Sequence, residues 1–139
     1  NIWVMNADGT NPTRLTEIDG SLPNWSPDGE EIAFVSFDKG SEGDVFVVDQ
    51  NGSGIHQLTE MLSDSGAPDW SPDGEWLVVN SSDGKDPFDP SYMPIMFKVR
   101  ADGSEVIRLS EGYFAAWSPD GEVIAFVKYT DVWFMDVMV

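Results

Sequence analysis

Cysteine is absent, which excludes disulfides, thiolate nucleophiles and cysteine-based zinc sites, and removes any clue to redox compartment. Basic residues are scarce: 7 Lys plus Arg stand against 25 Asp plus Glu, a formal charge of −18 over 139 residues. So acidic a surface repels phosphate backbones, and nucleic acid is excluded as a partner. One histidine is present, His56, so a Ser–His–Asp triad would have to be built on it. No apolar run approaches the roughly 20 residues of a membrane-spanning helix. The N-terminus Asn1-Ile2-Trp3-Val4 has no basic region ahead of an apolar stretch. No window shows convincing helical periodicity. What remains is 41% hydrophobic and 12% aromatic, a composition that folds, and a length that supports a core without a structural metal.

What the chain does have is repetition. The pentapeptide Trp-Ser-Pro-Asp-Gly occurs at Trp25 to Gly29, Trp70 to Gly74 and Trp117 to Gly121, spaced by 45 and then 47 residues. A second pattern, a mostly apolar run entering a turn, occurs at Ile2-Trp3-Val4-Met5, Val45-Phe46-Val47-Val48, Ile95-Met96-Phe97-Lys98 and Val132-Trp133-Phe134-Met135. Three of these enter Asn6-Ala7-Asp8-Gly9, Asp49-Gln50-Asn51-Gly52 and Arg100-Ala101-Asp102-Gly103. Short segments ending Arg14-Leu15-Thr16, Gln57-Leu58-Thr59 and Arg108-Leu109-Ser110 follow. The units run approximately over 1–16 (partial), 17–59, 60–110 and 111–139 (partial), within one domain spanning 1–139.

The local chemistry is that of β-structure. Proline pre-sets φ for the second position of a type I turn and glycine takes the left-handed conformation after it, so Ser26-Pro27-Asp28-Gly29 predicts a hairpin. Each unit then reads as four strands: one ending at the tryptophan, one after the Pro-Asp-Gly hairpin, the apolar run, and one ending at Leu-Thr or Leu-Ser. Four strands in 40 to 45 residues is the signature of a propeller blade. Between the hairpin glycine and the third strand the spacing is 16, 21 and 11 residues in successive units, so the variation lies in that loop. Its longest version, Ser82 to Pro94, holds three prolines and three aspartates.

These residues resemble the TolB-like, or WD40-like PD40, β-propeller repeats, whose units run as a strand, Trp-Ser-Pro-Asp-Gly, a strand ending in Ala-Phe, an Ile-Tyr-Val-Met type strand, Asn-Ala-Asp-Gly and Arg-Leu-Thr. The match is carried by Trp25 to Gly29, Ile32-Ala33-Phe34, Asp44 to Val48, Gln57-Leu58-Thr59 and the opening Ile2 to Gly9. The resemblance implies an all-β fold of three blades, each of four antiparallel strands, amounting to half of a six-bladed propeller. It implies a non-enzymatic scaffold that presents loops and a central channel to a protein partner, in the periplasm or outside the cell. Two alternatives stand beside it: a calcium- or carbohydrate-binding secreted propeller, and a piece of a propeller-containing hydrolase. In the last unit Asp136-Val137-Met138-Val139 takes the place of the Asp-Gly turn, and Asn80-Ser81-Ser82 departs from Ala-Phe.

Candidate site residues follow from position in the repeat. Trp25, Trp70 and Trp117 read as packing between blades. Pro27, Pro72 and Pro119, Asp28, Asp73 and Asp120, and Gly29, Gly74 and Gly121 read as the hairpin itself, in preference to calcium ligation by the aspartates. Asp83, Asp86 and Asp89, three apart in a proline-stiffened loop, are the candidate calcium ligands, although the alternating spacing of a helix–loop–helix calcium loop is lacking. No cofactor is required on this reading. Just before the tryptophans stand Asn24, Asp69 and Ala116, and the first two are candidates to face the channel. His56 occupies the place of Thr13 and Ile107 in other units, which marks a variable surface residue and leaves catalysis without support.

Length then matters. The repeat yields thirteen strands, whereas closed propellers have 4 to 8 blades. The expectation is a homodimer closing head to tail into six blades, with Ile2 to Thr16 of one chain completing the blade begun by Tyr113 to Asp136 of the other and one third-position strand per chain left over.

Overall fold

In the computed structural model, residues 1–38, 40, 43–60, 66–82, 93–129 and 135–138 are described. They form thirteen strands and, among the described residues, no helix. The strands fall into four antiparallel sheets in chain order. A two-stranded hairpin of β1 (Trp3–Val4) and β2 (Thr13–Arg14) comes first. Next is a four-stranded meander of β3 (Ser21–Trp25), β4 (Glu31–Ser36), β5 (Asp44–Asp49) and β6 (His56–Gln57). A second meander joins β7 (Asp69–Trp70), β8 (Trp76–Ser81), β9 (Ile95–Arg100) and β10 (Val106–Glu111). The last sheet has three strands, β11 (Tyr113–Trp117), β12 (Ile124–Tyr129) and β13 (Met135–Met138).

The inner hairpins form where the pentapeptide places them. Gly29 N–H donates to Ser26 O at 2.9 Å with Gly29 at φ +76°, and Gly74 and Gly121 repeat both features on Ser71 and Ser118. In each turn one aspartate oxygen is fully used: Asp28 Oδ1 accepts from Ser26 Oγ at 2.6 Å and from Glu30 N at 3.0 Å, with Asp73 and Asp120 engaged likewise. The Leu-Thr segment has its own job. Thr16 and Thr59 are buried, and their hydroxyls accept from Ile2 N and Val45 N at 2.9 Å, which ties the fourth strand back onto the start of the third.

Strand alternation gives the first meander two buried faces. Ala33, Val45, Val47 and Leu58 of the first meander pack on Trp70, Leu77, Val79 and Val99 of the second. On the opposite face Ile32, Phe34, Phe46 and Val48 pack on Ile2, Val4, Leu15 and Ile18. Phe34 stacks on Phe46 at 5.9 Å between ring centroids and is fully buried. Burial of a side chain that size contributes about 2–3 kcal/mol. The sheets therefore stack as blades around a common side.

One strand lies elsewhere than the apolar pattern places it. Val132-Trp133-Phe134-Met135 is the expected third strand of the last unit, but the strand paired with β12 is Met135–Met138, in register Phe126↔Met138 through Tyr129↔Met135. Residues 132–134 lie outside the described residues. Two Asp-Val runs adjoin here, at Asp131 and Asp136, and apolarity alone does not choose between them. In this register Val137 faces Val127 as Val45 faces Val35. Asp136-Val137-Met138-Val139 is thus the counterpart of Asp44-Val45-Phe46-Val47, not of an Asp-Gly turn, and the first and last loops are equally long.

Candidate functional site

The first strands of the three larger sheets converge. Asn24, Trp25 and Pro27, their counterparts Asp69, Trp70 and Pro72, and Trp117, Ser118 and Pro119 line one open depression of about 250 Å³. At its floor, Asn24 and Asp69 meet each other: Asn24 Nδ2 donates to Asp69 Oδ1 at 3.0 Å, and Asp69 Oδ2 accepts from Trp117 N at 2.7 Å. Trp70 Nε1 donates back to Asn24 O at 3.3 Å. One position of the repeat therefore stitches three successive blades. The stitch stops at Ala116, which has no polar side chain.

Two residues that the sequence does not single out lie earlier on two of these first strands, outside the depression's lining. Leu22 and Phe114 occupy the same place, three residues before the tryptophan, and both have left-handed backbone, φ +54° and +52°. Each lies where the pairing register shifts, between Ser21 and Asn24 and between Tyr113 and Ala116. Bulges of this kind re-aim a side chain, and left-handed φ in a bulky residue carries backbone strain of about 1–3 kcal/mol. Both side chains face solvent, at 48% and 73% exposure. Nothing in residue type announces them, because neither is Gly, Asn or Asp.

A second recess lies between the last two sheets, about 400 Å³ in volume, lined by Asp73, Trp76, Lys98, Trp117 and Asp120. Lys98 Nζ sits 4.0 Å from the Trp76 ring centre, a cation–π contact. Register puts Lys98 opposite Val78 as Val47 is opposite Ala33, so a lysine stands where the preceding blade uses an apolar residue. That lysine in an otherwise apolar run was the available signal.

The turn aspartates behave as anchored carboxylates. Hydrogen bonds from Ser26 Oγ and Glu30 N hold Asp28 below the usual carboxylate range, and those from Ser71, Ser118 and the following backbone do the same for Asp73 and Asp120. Asp8 and Asp102 are lowered by Thr10 and Ser104 in the outer turns. Asp83, Asp86 and Asp89 lie outside the described residues. Among the described residues no group of three or more His, Asp or Glu side chains is placed to hold a metal ion. His56 is exposed on β6, and its Nδ1 lies 2.9 Å from the carbonyl of Gly54 in its own turn. No helix among the described residues is long and apolar enough to cross a membrane.

Comparison with known proteins agrees with this geometry. The Tol-Pal system protein TolB of Xanthomonas campestris pv. campestris is 43% identical over 42 residues, 29% of this chain and 10% of that protein. The crystal structure of TolB from Acinetobacter baumannii superposes with a TM-score of 0.71 at 23% identity, over 90% of this chain and 31% of that one. A structure assigned to TolB from Agrobacterium tumefaciens gives 0.75 at 27% identity, over 91% of this chain and 45% of that one. The chain thus spans less than half the length of these relatives. The same fold recurs in an acylaminoacyl peptidase of Pyrococcus horikoshii, at 20% identity and a TM-score of 0.64, over 95% of this chain and 24% of that one. The family profile of the TolB beta propeller domain, PD40, matches residues 20–138, and the chain belongs to that family.

Proposed function

We propose that the chain is a non-catalytic binding module of a propeller, and that its contact surface is the depression where the first strands converge. The observation that carries this reading is the pair of strained bulges at Leu22 and Phe114, which hold large apolar side chains out in water at equivalent positions of two blades. Strain and exposure are both costly, and a partner that covers the two side chains offsets both. Pro27, Pro72, Pro119 and the Trp117 ring line the depression that the same strands lead into.

The partner suited to this surface is a protein segment with apolar anchors and a basic flank, since the chain carries a formal charge of −18. The TolB relatives belong by name to the Tol-Pal system, which fits a protein partner and a periplasmic setting for this chain. The calcium-binding alternative rests on Asp83, Asp86 and Asp89 and is tested by calorimetry with calcium. Heat or a melting shift at millimolar calcium would favour it.

Selection of displayed peptides on the folded protein tests the main reading. Expected are sequences combining Lys or Arg with Leu, Phe or Met. Their affinity should fall about tenfold or more in the Leu22→Ser, Phe114→Ser double variant, a loss of about 1.4 kcal/mol. Affinity should also weaken as salt rises. Peptides that bind wild type and double variant alike, with no salt dependence, would overturn it.

A further inference from the structure

The seam between the last two blades is polar where the seam before it is apolar. Val47 packs on Leu77 and Val79 of the next blade, and Lys98 holds the same register position one blade later. In place of an apolar contact the last seam opens into a recess of about 400 Å³, within the roughly 300–1,000 Å³ range of small-molecule pockets.

The walls of this recess carry donors without acceptors and acceptors without donors. Trp70 Nε1 donates to the Asn24 carbonyl of the preceding blade, whereas Trp117 Nε1, at the same repeat position, is buried and has no partner among the described residues. A buried donor left unpaired is costly until an acceptor reaches it. The Lys98 ammonium rests against the Trp76 ring, and among the described residues no hydrogen bond or ion pair engages it. On the same walls stand Asp73 and Asp120. Each uses one carboxylate oxygen in its own turn, and the other takes no bond among the described residues. The Ser71 hydroxyl is the main cause that holds Asp73 low, and the charge of Lys98 adds to it, so the two charges act on each other without meeting.

The balance of charges selects the ligand. A simple anion would gain Lys98 and the Trp117 N–H but meet two carboxylates. A simple cation would gain the carboxylates but meet Lys98 and leave the Trp117 N–H unpaired. A neutral sugar would need a bare aromatic face, and the Trp76 ring is already attended by Lys98 and by Arg100, whose Cζ lies 5.1 Å from the ring centre. A molecule that carries both charges suits every wall. We propose that the recess binds a small zwitterion, an α-amino acid, whose carboxylate accepts from Lys98 Nζ and Trp117 Nε1, whose ammonium donates to Asp73 and Asp120, and whose apolar side chain lies against Pro72 and Trp76. Lys98 is then a seam residue kept for binding where an apolar residue would pack better.

Titration calorimetry with L-leucine tests the proposal, beside two analogues of the same shape that carry one charge each, isocaproate and isoamylamine. Wild type should give saturable heat with L-leucine in the millimolar range or tighter, and each analogue should bind about tenfold or more weakly. Asp120→Asn keeps an acceptor for Ser118 Oγ and Glu122 N while removing the charge. Lys98→Met removes the ammonium and sets an apolar side chain where the preceding seam has Val47. Each variant should weaken L-leucine about tenfold or more. Lys98→Met should also melt no lower than wild type, an outcome that a purely structural cation–π strut would not give. No saturable heat from wild type, an isocaproate that binds as tightly as L-leucine, or binding indifferent to both variants would overturn the proposal. Should Lys98→Met fail to fold, Asp120→Asn and the two analogues on wild type decide it.

Discussion

At the scale of single residues, much of the polar chemistry is invested in turns and seams. Asp69 alone satisfies the Asn24 amide and the Trp117 N–H. Asp69→Ala leaves two polar groups at a blade seam unpaired and should cost about 1–3 kcal/mol, read as a drop in chemical-denaturation stability. Ser71 is buried, donates to Asp73 and accepts from Trp76 N at 2.9 Å. Ser71→Ala should cost about 1–2 kcal/mol by the same measurement.

The turn aspartates make a pH prediction. Their folded values lie below the ordinary carboxylate value, so their contribution is present above about pH 4 and is lost as pH falls through the folded values. Acid also relieves the repulsion of a chain at −18, which acts with the opposite sign. At 1 M salt the repulsion is screened beyond about 3 Å, and melting should then fall steadily below pH 4. The triple variant Asp28→Asn, Asp73→Asn, Asp120→Asn should flatten that slope. An unchanged slope would remove the turn carboxylates from the account.

At the scale of elements, packing between sheets sets the tolerances. A Cβ on Gly20 would lie 2.6 Å from Phe34 Cδ2 and 2.9 Å from Ile2 Cδ1, and one on Gly112 2.6 Å from Phe126 Cδ2. These two glycines precede equivalent first strands, so the close approach belongs to the blade. Gly20→Ala should cost about 1–3 kcal/mol by overpacking, measured as a lower unfolding midpoint. Strand order was readable in the sequence because each turn carries its own residue signature: Pro-Asp-Gly for inner hairpins, Asn/Asp-Gly for outer ones, Leu-Thr for the closing strand. Register was not readable where the signature is duplicated, as at Asp131 and Asp136. The bulges at Leu22 and Phe114 were hidden for a related reason, because a left-handed residue there follows from a pairing shift and not from side-chain type.

At the scale of the whole molecule, the repeat gave fold and family, while function rests on what the blades leave uncovered. Asn24 and Asp69 were legible as equivalent positions, yet sequence cannot say that equivalent residues in adjacent blades touch each other. Once they do, the candidate contact residues become Leu22 and Phe114, with the prolines that line the depression. Trp25, Trp70 and Trp117 likewise share one sequence pattern but not one environment: Trp70 is buried and Trp25 is not, a contrast set by neighbours along the stack.

The central claim is that Leu22 and Phe114, held out in water on left-handed bulges of two first strands, anchor a partner. Binding of a selected peptide that combines Lys or Arg with Leu, Phe or Met, compared between wild type and the Leu22→Ser, Phe114→Ser variant, tests it most directly. The account predicts a loss of affinity of about tenfold or more in the variant. Equal affinity for the two proteins would contradict it.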